Sequence, residues 1–339
     1  MSASRLLAGH RAARRLREGQ PGCREAVSRG RRLTRALILG VRGFCGIHLA
    51  RILRDGGDVT VVGADVAAEP PDDGICDAYS AFDIGDADSV DELVARSRPD
   101  WVFNLAGRAR GASEDVFRVN TLGAAHLLES IRKRAPEARV CMVGSAAEYG
   151  PVDESELPIT EQQPCRPIGD YGISKYAATT LALGYVRAYG LSLVVARPFN
   201  IVGPGIGSDL VVGAILRRAR EALADQAEPV VAVGNLETMR DFVAVEDAMA
   251  GLVGMVRSGH SGEVFNICSG EARSVREVVE LALSHSTRPI RLEVDPDLVR
   301  PQDVRVVFGS WRKANLAFGF RPTTGIEASL EAAWRYANR

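Results

Sequence analysis

The sequence predicts an α/β fold in which a doubly wound parallel sheet is followed by a smaller C-terminal lobe. Two observations support this prediction. Short aliphatic strands alternate with helical segments between residues 35 and 145, and such alternation builds parallel sheets with helices on both faces. The first strand also runs into a glycine-rich turn and then a helix, which is how a doubly wound sheet commonly begins.

The size and composition are those of an ordinary soluble globular protein. The chain has 339 residues, of which 46% are hydrophobic and 25% charged, enough for one large domain or two associated domains. The net charge of −1 gives no overall field that favours nucleic acid or a membrane surface. No apolar run approaches the roughly 20 residues that a membrane-spanning helix needs. We therefore expect neither kind of partner.

The six cysteines include no C-x-x-C pair and do not cluster with the five histidines. This spacing indicates neither a zinc site nor a disulfide framework. A chain without disulfides fits a reducing compartment, so we expect a cytoplasmic protein without a bound metal.

Residues 1–33 differ from the rest of the chain, because they contain nine Arg and two Glu but no Asp. An Arg-rich, acid-poor leader is compatible with a transit peptide or a nucleic-acid-binding arm. Since the whole chain uses Arg and has only three Lys, we interpret this segment as a flexible basic extension.

The turn after the first strand has glycines at Gly40, Gly43 and Gly46, in the spacing G-x-x-G-x-x-G, and a helical pattern follows. Glycine at these positions lets the backbone turn sharply and approach a pyrophosphate, whose charge the helix N-terminus receives. A glycine triplet alone is weak evidence, but this one stands between a strand and a helix, as the motif requires. It predicts a Rossmann-type dinucleotide site.

The second predicted strand ends in Asp65, 25 residues after Gly40. A carboxylate at this point can bind the ribose 2′-hydroxyl and repels a 2′-phosphate, which favours NAD(H) over NADP(H). Arg42, just before the second glycine, is placed to reach a 2′-phosphate and leaves NADP(H) as the alternative. The other interpretation of Arg42 is a solvated arginine at the start of a helix.

The third, fourth and fifth predicted strands carry Asp83, Asn104 and Ser145 near their carboxyl ends. Ligands of doubly wound sheets bind beyond those ends. We expect Asp83 to meet the adenine, and the other two side chains to line the same edge as the glycine turn. A helix that opens at Asn120 connects the fourth and fifth strands.

Tyr171 and Lys175 lie four residues apart in a segment, residues 171–189, whose composition and apolar spacing predict a helix. On a helix they share a face, so the ammonium is expected to lie beside the phenol and to lower its pKa. A phenol of lowered pKa can exchange a proton with a substrate hydroxyl near neutral pH. The other interpretation is an exposed Tyr and Lys on a helix.

Several motifs together resemble the extended short-chain dehydrogenase/reductase family of nucleotide-sugar epimerases, dehydratases and reductases, over residues 34–339. They are GVRGFCG (40–46), NLAG (104–107), Asn120, GSAAEYG (144–150), YGISK (171–175) and ARPFNIVGPG (196–205). Within the family, the likeness is strongest to GDP-4-keto-6-deoxymannose reductases and their GDP-mannose dehydratase relatives. That likeness depends on VGNLETMRDFVAVEDA (233–248), VFNICSG (264–270) and Arg300-Pro301.

The resemblance implies a role for each matching residue. Ser145, Tyr171 and Lys175 would be the catalytic group. Arg240 and Arg300 would hold the diphosphate, which a guanidinium fork suits, and Asn200 would contact the sugar nucleotide. The implied cofactor contacts are Gly40, Arg42, Gly43, Phe44, Gly46, Asp65, Asp83, Ile84, Asn104, Ala106, Asn120, Tyr171 and Lys175.

Three departures from the family pattern bear on the reaction. Ala147 stands where dehydratases carry a proton-transferring Glu, and Glu148 comes one residue later. The segment between Gly107 and Asn120 is short, and Asp65 stands where the related reductases tend to be basic. We therefore expect first a reductase of a GDP-linked 4-keto-6-deoxyhexose and second an NAD-retaining 4-epimerase. A 4,6-dehydratase and a non-catalytic nucleotide-binding module are the remaining readings.

The chain is predicted to divide into a nucleotide-binding domain and a lobe that covers the substrate. The nucleotide-binding domain comprises residues 34–200 together with residues 240–270. The lobe comprises residues 201–239 and 271–339. The helices at 120–133 and 171–189 are Ala/Leu-rich. They are expected to pair across the two-fold axis of a homodimer, as in the family, or else to be buried within one chain.

Overall fold

A computed structural model describes residues 33–71, 74–225, 227–299 and 304–339. The predicted basic extension therefore lies outside the described residues, except for Leu33. Arg300, predicted to bind the diphosphate, also lies outside them.

The strands of the described chain are, in order, β1 (Thr34–Leu39), β2 (Val59–Asp65), β3 (Ala78–Ala81), β4 (Trp101–Asn104), β5 (Arg139–Val143), β6 (Leu193–Pro198), β7 (Asn200–Val202), β8 (Val230–Val233), β9 (Met239–Arg240), β10 (Phe242–Ala244), β11 (Val264–Ile267), β12 (Arg273–Ser274), β13 (Arg291–Val294) and β14 (Val306–Val307). The α-helices are α1 (Phe44–Asp55), α2 (Ala87–Ser97), α3 (Ser113–Phe117), α4 (Gly123–Arg134), α5 (Gly169–Tyr189), α6 (Val211–Asp225), α7 (Val245–Ser258), α8 (Val275–Leu283), α9 (Arg312–Phe318) and α10 (Ile326–Ala337).

Within the described residues, seven strands form one parallel sheet in the order β11-β6-β5-β4-β1-β2-β3. From β1, the strands β2 and β3 follow towards one edge of the sheet, and β4, β5 and β6 follow towards the other. The direction of building reverses between β1 and β4, and such a reversal leaves a crevice for ligands beyond the strand ends. The predicted fold class is confirmed.

Two hydrophobic cores cover the two faces of the sheet. Alternate side chains of a strand point to opposite faces, and β1 shows this directly. Ile38 packs in the core that α1 and α7 cover, whereas Leu37 packs in the core that α2, α4 and α5 cover. Both side chains are fully buried, so β1 holds the glycine turn at its end in a fixed position.

The later part of the chain contributes a third hydrophobic core, built from α6, α8, α10 and β8. Its members include Val212, Val279, Leu330 and Val231, all nearly or fully buried. Strand β8 pairs with β13.

Two of the predicted site residues lie where the chain leaves β4 and enters α4. β4 ends at Asn104, because its neighbour β1 turns away after Leu39, where the last backbone hydrogen bond comes from the Leu105 amide (3.0 Å). Asn120 lies in a π-helical turn, Arg118–Leu122, that precedes α4. π-Turns are often found at functional sites.

No helix in the described part of the chain is long and apolar enough to cross a membrane. The same residues contain no group of three or more His, Cys, Asp or Glu arranged to hold a metal ion.

Candidate active site

The glycine turn between β1 and α1 is packed too closely for side chains. A Cβ at Gly40 would lie 2.9 Å from the Ala106 amide nitrogen, and Gly40 has a φ of +81°. A Cβ at Gly46 would overlap the main-chain oxygen of Gly40. The Gly43 amide donates to that same oxygen (3.1 Å). The turn therefore lies directly against Ala106, and both lie at the sheet edge where the strand order reverses.

Asp65 and Arg42 meet at the end of β2. One Asp65 carboxylate oxygen accepts from the Arg42 amide (3.0 Å), and the other accepts from the Val66 amide (2.8 Å). The Arg42 guanidinium turns away from the carboxylate and donates to the main-chain oxygens of Glu69 (2.6 Å) and Pro70 (2.7 Å). Asp65 thus stands beside the glycine turn, where the sequence predicted it.

Asp83 is held by Arg118, a residue that the sequence analysis did not single out. The Arg118 guanidinium donates to Asp83 at 2.8 Å, and the Gly85 amide donates at 2.8 Å. Partial burial opposes the charge of Asp83, but these two donors outweigh it and lower the pKa of the carboxyl. Ile84 is buried against the start of α4, where a Cβ at Gly123 would lie 2.9 Å from it.

Asn104 is a buried amide at the end of β4. Its Nδ2 faces the Met142 sulfur at 3.8 Å, and its Oδ1 is buried without a hydrogen-bond partner among the described residues. Buried amide oxygens are rarely left unpaired in folded proteins. An acceptor held unpaired at the ligand edge fits a site that is completed by a bound molecule.

Asn120 joins the loop after β4 to α5. Its Oδ1 accepts from the Arg108 amide (2.8 Å), and its Nδ2 donates to the Arg108 oxygen (2.9 Å) and to the Ser174 hydroxyl (2.9 Å). A Cβ at Gly107 would lie 3.2 Å from Lys175 Nζ. The buried amide therefore fixes that loop beside Lys175.

Ser145, Tyr171 and Lys175 come together at the carboxyl end of β5. The Ser145 hydroxyl lies close enough to the Tyr171 phenol to lower its pKa. Lys175 is 7% exposed, and its ammonium donates to the Val143 oxygen at 2.8 Å. The group predicted from the sequence is thus assembled in the described structure.

The predicted direction of the Tyr171 pKa is wrong. Burial raises the pKa of the phenol, and the neighbouring Ser145 hydroxyl only partly opposes this. Lys175 does not offset it, because its ammonium points to the Val143 oxygen and burial lowers the pKa of Lys175 itself to about 8. Without a ligand, Tyr171 is therefore a protonated phenol at neutral pH.

Cys45, in the first turn of α1, is a further side chain of this group that the sequence analysis missed. It interacts electrostatically with both Tyr171 and Lys175. Burial raises the pKa of the thiol to about 12, although the charge of Lys175 opposes this. The only signal in the sequence was its place between Gly43 and Gly46.

Ala147 and Glu148 follow Ser145 in a short 3₁₀ turn, Ala146–Glu148. The Ala147 methyl is exposed, whereas Glu148 is fully buried and paired with Arg197 (2.8 Å). Because it is buried, the Glu148 carboxylate points into the protein and away from the ligand edge.

Asn200 and Arg240 lie close together beyond the end of β6. The Asn200 amide nitrogen and its Nδ2 both donate to the main-chain oxygen of Asp241, at 3.1 and 2.8 Å. Arg240 directly precedes that residue, and its guanidinium donates to the Met239 oxygen at 2.8 Å. Their roles toward a substrate remain predictions.

Comparison with known proteins agrees with this arrangement. A sequence profile described as GDP-mannose 4,6 dehydratase matches residues 37–332. The GDP-6-deoxy-D-mannose reductase of Pseudomonas aeruginosa is 31% identical over 304 residues, which cover 88% of this chain and 95% of the relative.

Two solved structures share the fold across nearly the whole chain. RMD from Pseudomonas aeruginosa, complexed with NADPH, superposes with a TM-score of 0.78 at 28% identity and covers 90% of this chain and 98% of its own. The UDP-glucose 4-epimerase of Thermus thermophilus, complexed with NAD, has a TM-score of 0.78 at 25% identity, with coverages of 90% and 99%. With its Ser-Tyr-Lys group, glycine turn and matched profile, the chain belongs to the GDP-mannose 4,6-dehydratase family of extended short-chain dehydrogenases/reductases.

Proposed function

We propose that this protein reduces the C4 carbonyl of a nucleotide-linked 4-keto-6-deoxyhexose, most suitably a GDP-linked one, with a hydride from a nicotinamide cofactor. The observation that carries the proposal is the Ser145 hydroxyl beside the Tyr171 phenol, with Lys175 one helical turn further along α5. It occurs in a chain that is 31% identical to a GDP-6-deoxy-D-mannose reductase.

The residues at the sheet edge fit a dinucleotide. The glycine turn carries no side chains that would keep its backbone away from a pyrophosphate, and the unpaired Asn104 Oδ1 offers a buried acceptor. The first amides of α1 would receive the pyrophosphate, Asp65 a ribose hydroxyl, and Lys175 the nicotinamide ribose. The bound cofactor would supply the hydride.

Tyr171 is suited to give the proton. Reduction places a hydride on C4 and a proton on the carbonyl oxygen, and a phenol that burial keeps protonated can supply the latter. Ser145 would hydrogen-bond the same oxygen and stabilise the charge that develops on it. The phenolate left behind regains its proton from solvent.

Asp65 favours NAD(H). Its carboxylate already accepts two backbone amides and keeps lone pairs for ribose hydroxyls. Arg42 would have to leave the oxygens of Glu69 and Pro70 to meet a 2′-phosphate. NADP(H) remains the alternative cofactor.

The second candidate is an NAD-retaining 4-epimerase, which Asp65 and the small pair Ala146-Ala147 also suit. A 4,6-dehydratase is disfavoured because Ala147 supplies no proton-transferring group and Glu148 is buried. A non-catalytic nucleotide-binding module would have little use for the assembled Ser145, Tyr171 and Lys175.

We also propose a homodimer formed through α4 and α5. Large apolar side chains remain exposed on α5 and just before α4, and a helix face of this kind is suited to a four-helix contact. They are Leu122, Ile173, Tyr176 and Tyr189. We likewise propose that the chain divides into a nucleotide-binding domain and a lobe that covers the substrate, and that the protein is cytoplasmic.

The test is to incubate purified protein with GDP-4-keto-6-deoxymannose and NADH or NADPH and to follow the loss of nicotinamide absorbance. Stoichiometric oxidation with a 6-deoxyhexose product is the expected result. Tightly retained NAD, together with interconversion of two C4 epimers and no net oxidation of added NADH, would overturn the reductase in favour of the epimerase.

A further inference from the structure

Glu148 is a buried carboxylate whose two oxygens are both occupied. Oε1 accepts from the Ser145 amide (2.9 Å) and from the Thr179 hydroxyl (3.0 Å). Oε2 accepts from Arg197 Nε (2.8 Å). Since the carboxylate is fully buried, it cannot reach a substrate, and the reaction described above makes no use of it.

The three donors come from three different elements. Ser145 belongs to the turn after β5, Thr179 to α5 one turn beyond Lys175, and Arg197 to β6. One carboxylate therefore ties the residue that carries the serine hydroxyl to the helix that carries the tyrosine and the lysine.

Arg197 is itself held on its other side. Its guanidinium stacks 4.7 Å from the centre of the Tyr149 ring, and the Tyr149 hydroxyl donates to Asn266 Oδ1 on β11 (2.7 Å). Arg197 is 5% exposed and Asn266 is fully buried. The support beneath Glu148 thus extends through the sheet to its edge strand.

The local backbone leaves room for this carboxylate. A Cβ at Gly144 would overlap Glu148 Oε1, so the residue between β5 and Ser145 can only be glycine unless Glu148 moves. A Cβ at Gly172 would lie 2.8 Å from the Ala147 oxygen. The turn is therefore pressed against the first turn of α5, where Tyr171 lies.

A buried ion pair is a poor means of stabilising a fold. Removing both charges from water is costly, and well-packed apolar side chains of similar volume are often equally stabilising. What an apolar pair cannot provide is an acceptor for the Ser145 amide. The pairing of Glu148 with Arg197 is therefore better explained by the position of Ser145 than by stability.

We propose that Glu148, held in place by Arg197, is a positioning residue: it fixes the Ser145 amide so that the serine hydroxyl meets the Tyr171 phenol and the substrate oxygen. The proposal rests on the proposed function, in which Ser145 binds that oxygen. Glu148 acts through Ser145 and has no contact with the substrate.

The test compares two double variants that both remove the ion pair. Glu148→Leu/Arg197→Met has no acceptor for the Ser145 amide, whereas Glu148→Gln/Arg197→Met keeps an amide oxygen in its place. We expect kcat to fall roughly 10- to 100-fold in the Leu–Met variant, with KM and the cofactor Kd little changed, and the Gln–Met variant to recover most of it. Equal kcat values in the two folded variants would overturn the proposal.

A double-mutant cycle shows whether the effect passes through Ser145. In a Ser145→Ala background, replacing Glu148 and Arg197 by Leu and Met should lower kcat by less than about threefold. A loss as large as in the presence of Ser145 would mean that Glu148 acts elsewhere. The control is Arg217→Met/Glu221→Leu, an exposed pair on α6 (2.9 Å), which should leave kcat unchanged.

Two further measurements keep the test decisive. If the Leu–Met pair does not fold, Glu148→Met/Arg197→Met, which also lacks the acceptor, enters the same cycle. A fall in kcat that disappears in the Ser145→Ala background supports the proposal, and one that persists there contradicts it. Amide hydrogen exchange of residues 144–150 requires no activity. Faster exchange in the Leu–Met than in the Gln–Met variant supports the proposal even if the wild type is not a reductase, and equal exchange contradicts it.

Discussion

The ammonium group of Lys175 donates a hydrogen bond of 2.8 Å to the main-chain oxygen of Val143, the last residue of β5. This lysine is nearly fully buried, and burial lowers its pKa to about 8. Below a pH of about 8 the buried Lys175 carries its charge and destabilises the folded chain, because in the unfolded chain water solvates the same charged group. Lys175 is therefore expected to reduce the stability of the fold.

Lys175→Met should stabilise the protein at pH 7 while abolishing activity. The lowered pKa means that the buried charge destabilises the wild type by about 3 kcal/mol. The variant lacks this charge but also loses the hydrogen bond to Val143, which offsets about 1 kcal/mol of the gain. We expect the free energy of unfolding to rise by about 2 kcal/mol at pH 7. As the pH rises from about 8 towards 10, the free energy of unfolding of the wild type should increase relative to that of the variant. In this range only the lysine of the unfolded chain remains protonated.

Urea unfolding of the two proteins at pH 7 and pH 9.5 measures this, and titrations common to both proteins cancel in the difference. A variant that is less stable than the wild type at pH 7 would show that the lysine stabilises the fold after all.

Tyr171→Phe should lower turnover by roughly 10²–10⁴. In the proposed reaction the phenol is the proton donor, and Phe keeps the shape of the ring while removing the hydroxyl that lies beside Ser145. Because the ring still fills its place, the cofactor Kd and the melting temperature should change little. Steady-state kinetics with a cofactor titration decide the point, and near-normal turnover would contradict the assignment.

NADH should bind more tightly than NADPH. The Asp65 carboxylate would repel a 2′-phosphate, and the Arg42 guanidinium is already bound to Glu69 and Pro70. Asp65→Asn should bring the two dissociation constants closer together, whereas Arg42→Ala should weaken only NADPH. Fluorescence titration of the three proteins measures this preference. A wild type that prefers NADPH would mean that Arg42 leaves the two oxygens and dominates.

How much the sequence revealed depended on whether the signal was local. The glycine turn, Asp65 and the pair Tyr171 and Lys175 were predicted because strand, turn and helix spacing alone decide which edge or face they share. Arg118 and Arg197 were not, since their partners lie 35 and 49 residues away and only packing brings them together. The predicted direction of the Tyr171 pKa was wrong for the same reason. Spacing places Lys175 nearby but does not show that its ammonium points to Val143.

GDP-mannose with NAD should not be converted to a 4-keto product at an enzymatic rate. Elimination of water across C5 and C6 needs an acid and a base beside those carbons, in addition to hydride transfer at C4. Ala147 occupies the position that would supply one of them, and its methyl can neither give nor take a proton.

Glu148 cannot replace that group, because its carboxylate is fully buried and accepts from Ser145, Thr179 and Arg197. Exposing it would leave the Arg197 charge unpaired inside the protein, which is strongly unfavourable. The ultraviolet absorbance of a 4-keto sugar in base reports the product, and Ala147→Glu is the informative companion variant. Absorbance that grows at an enzymatic rate with the wild type would overturn the reductase reading, whereas a gain only in Ala147→Glu would show that this single position separates the two reactions.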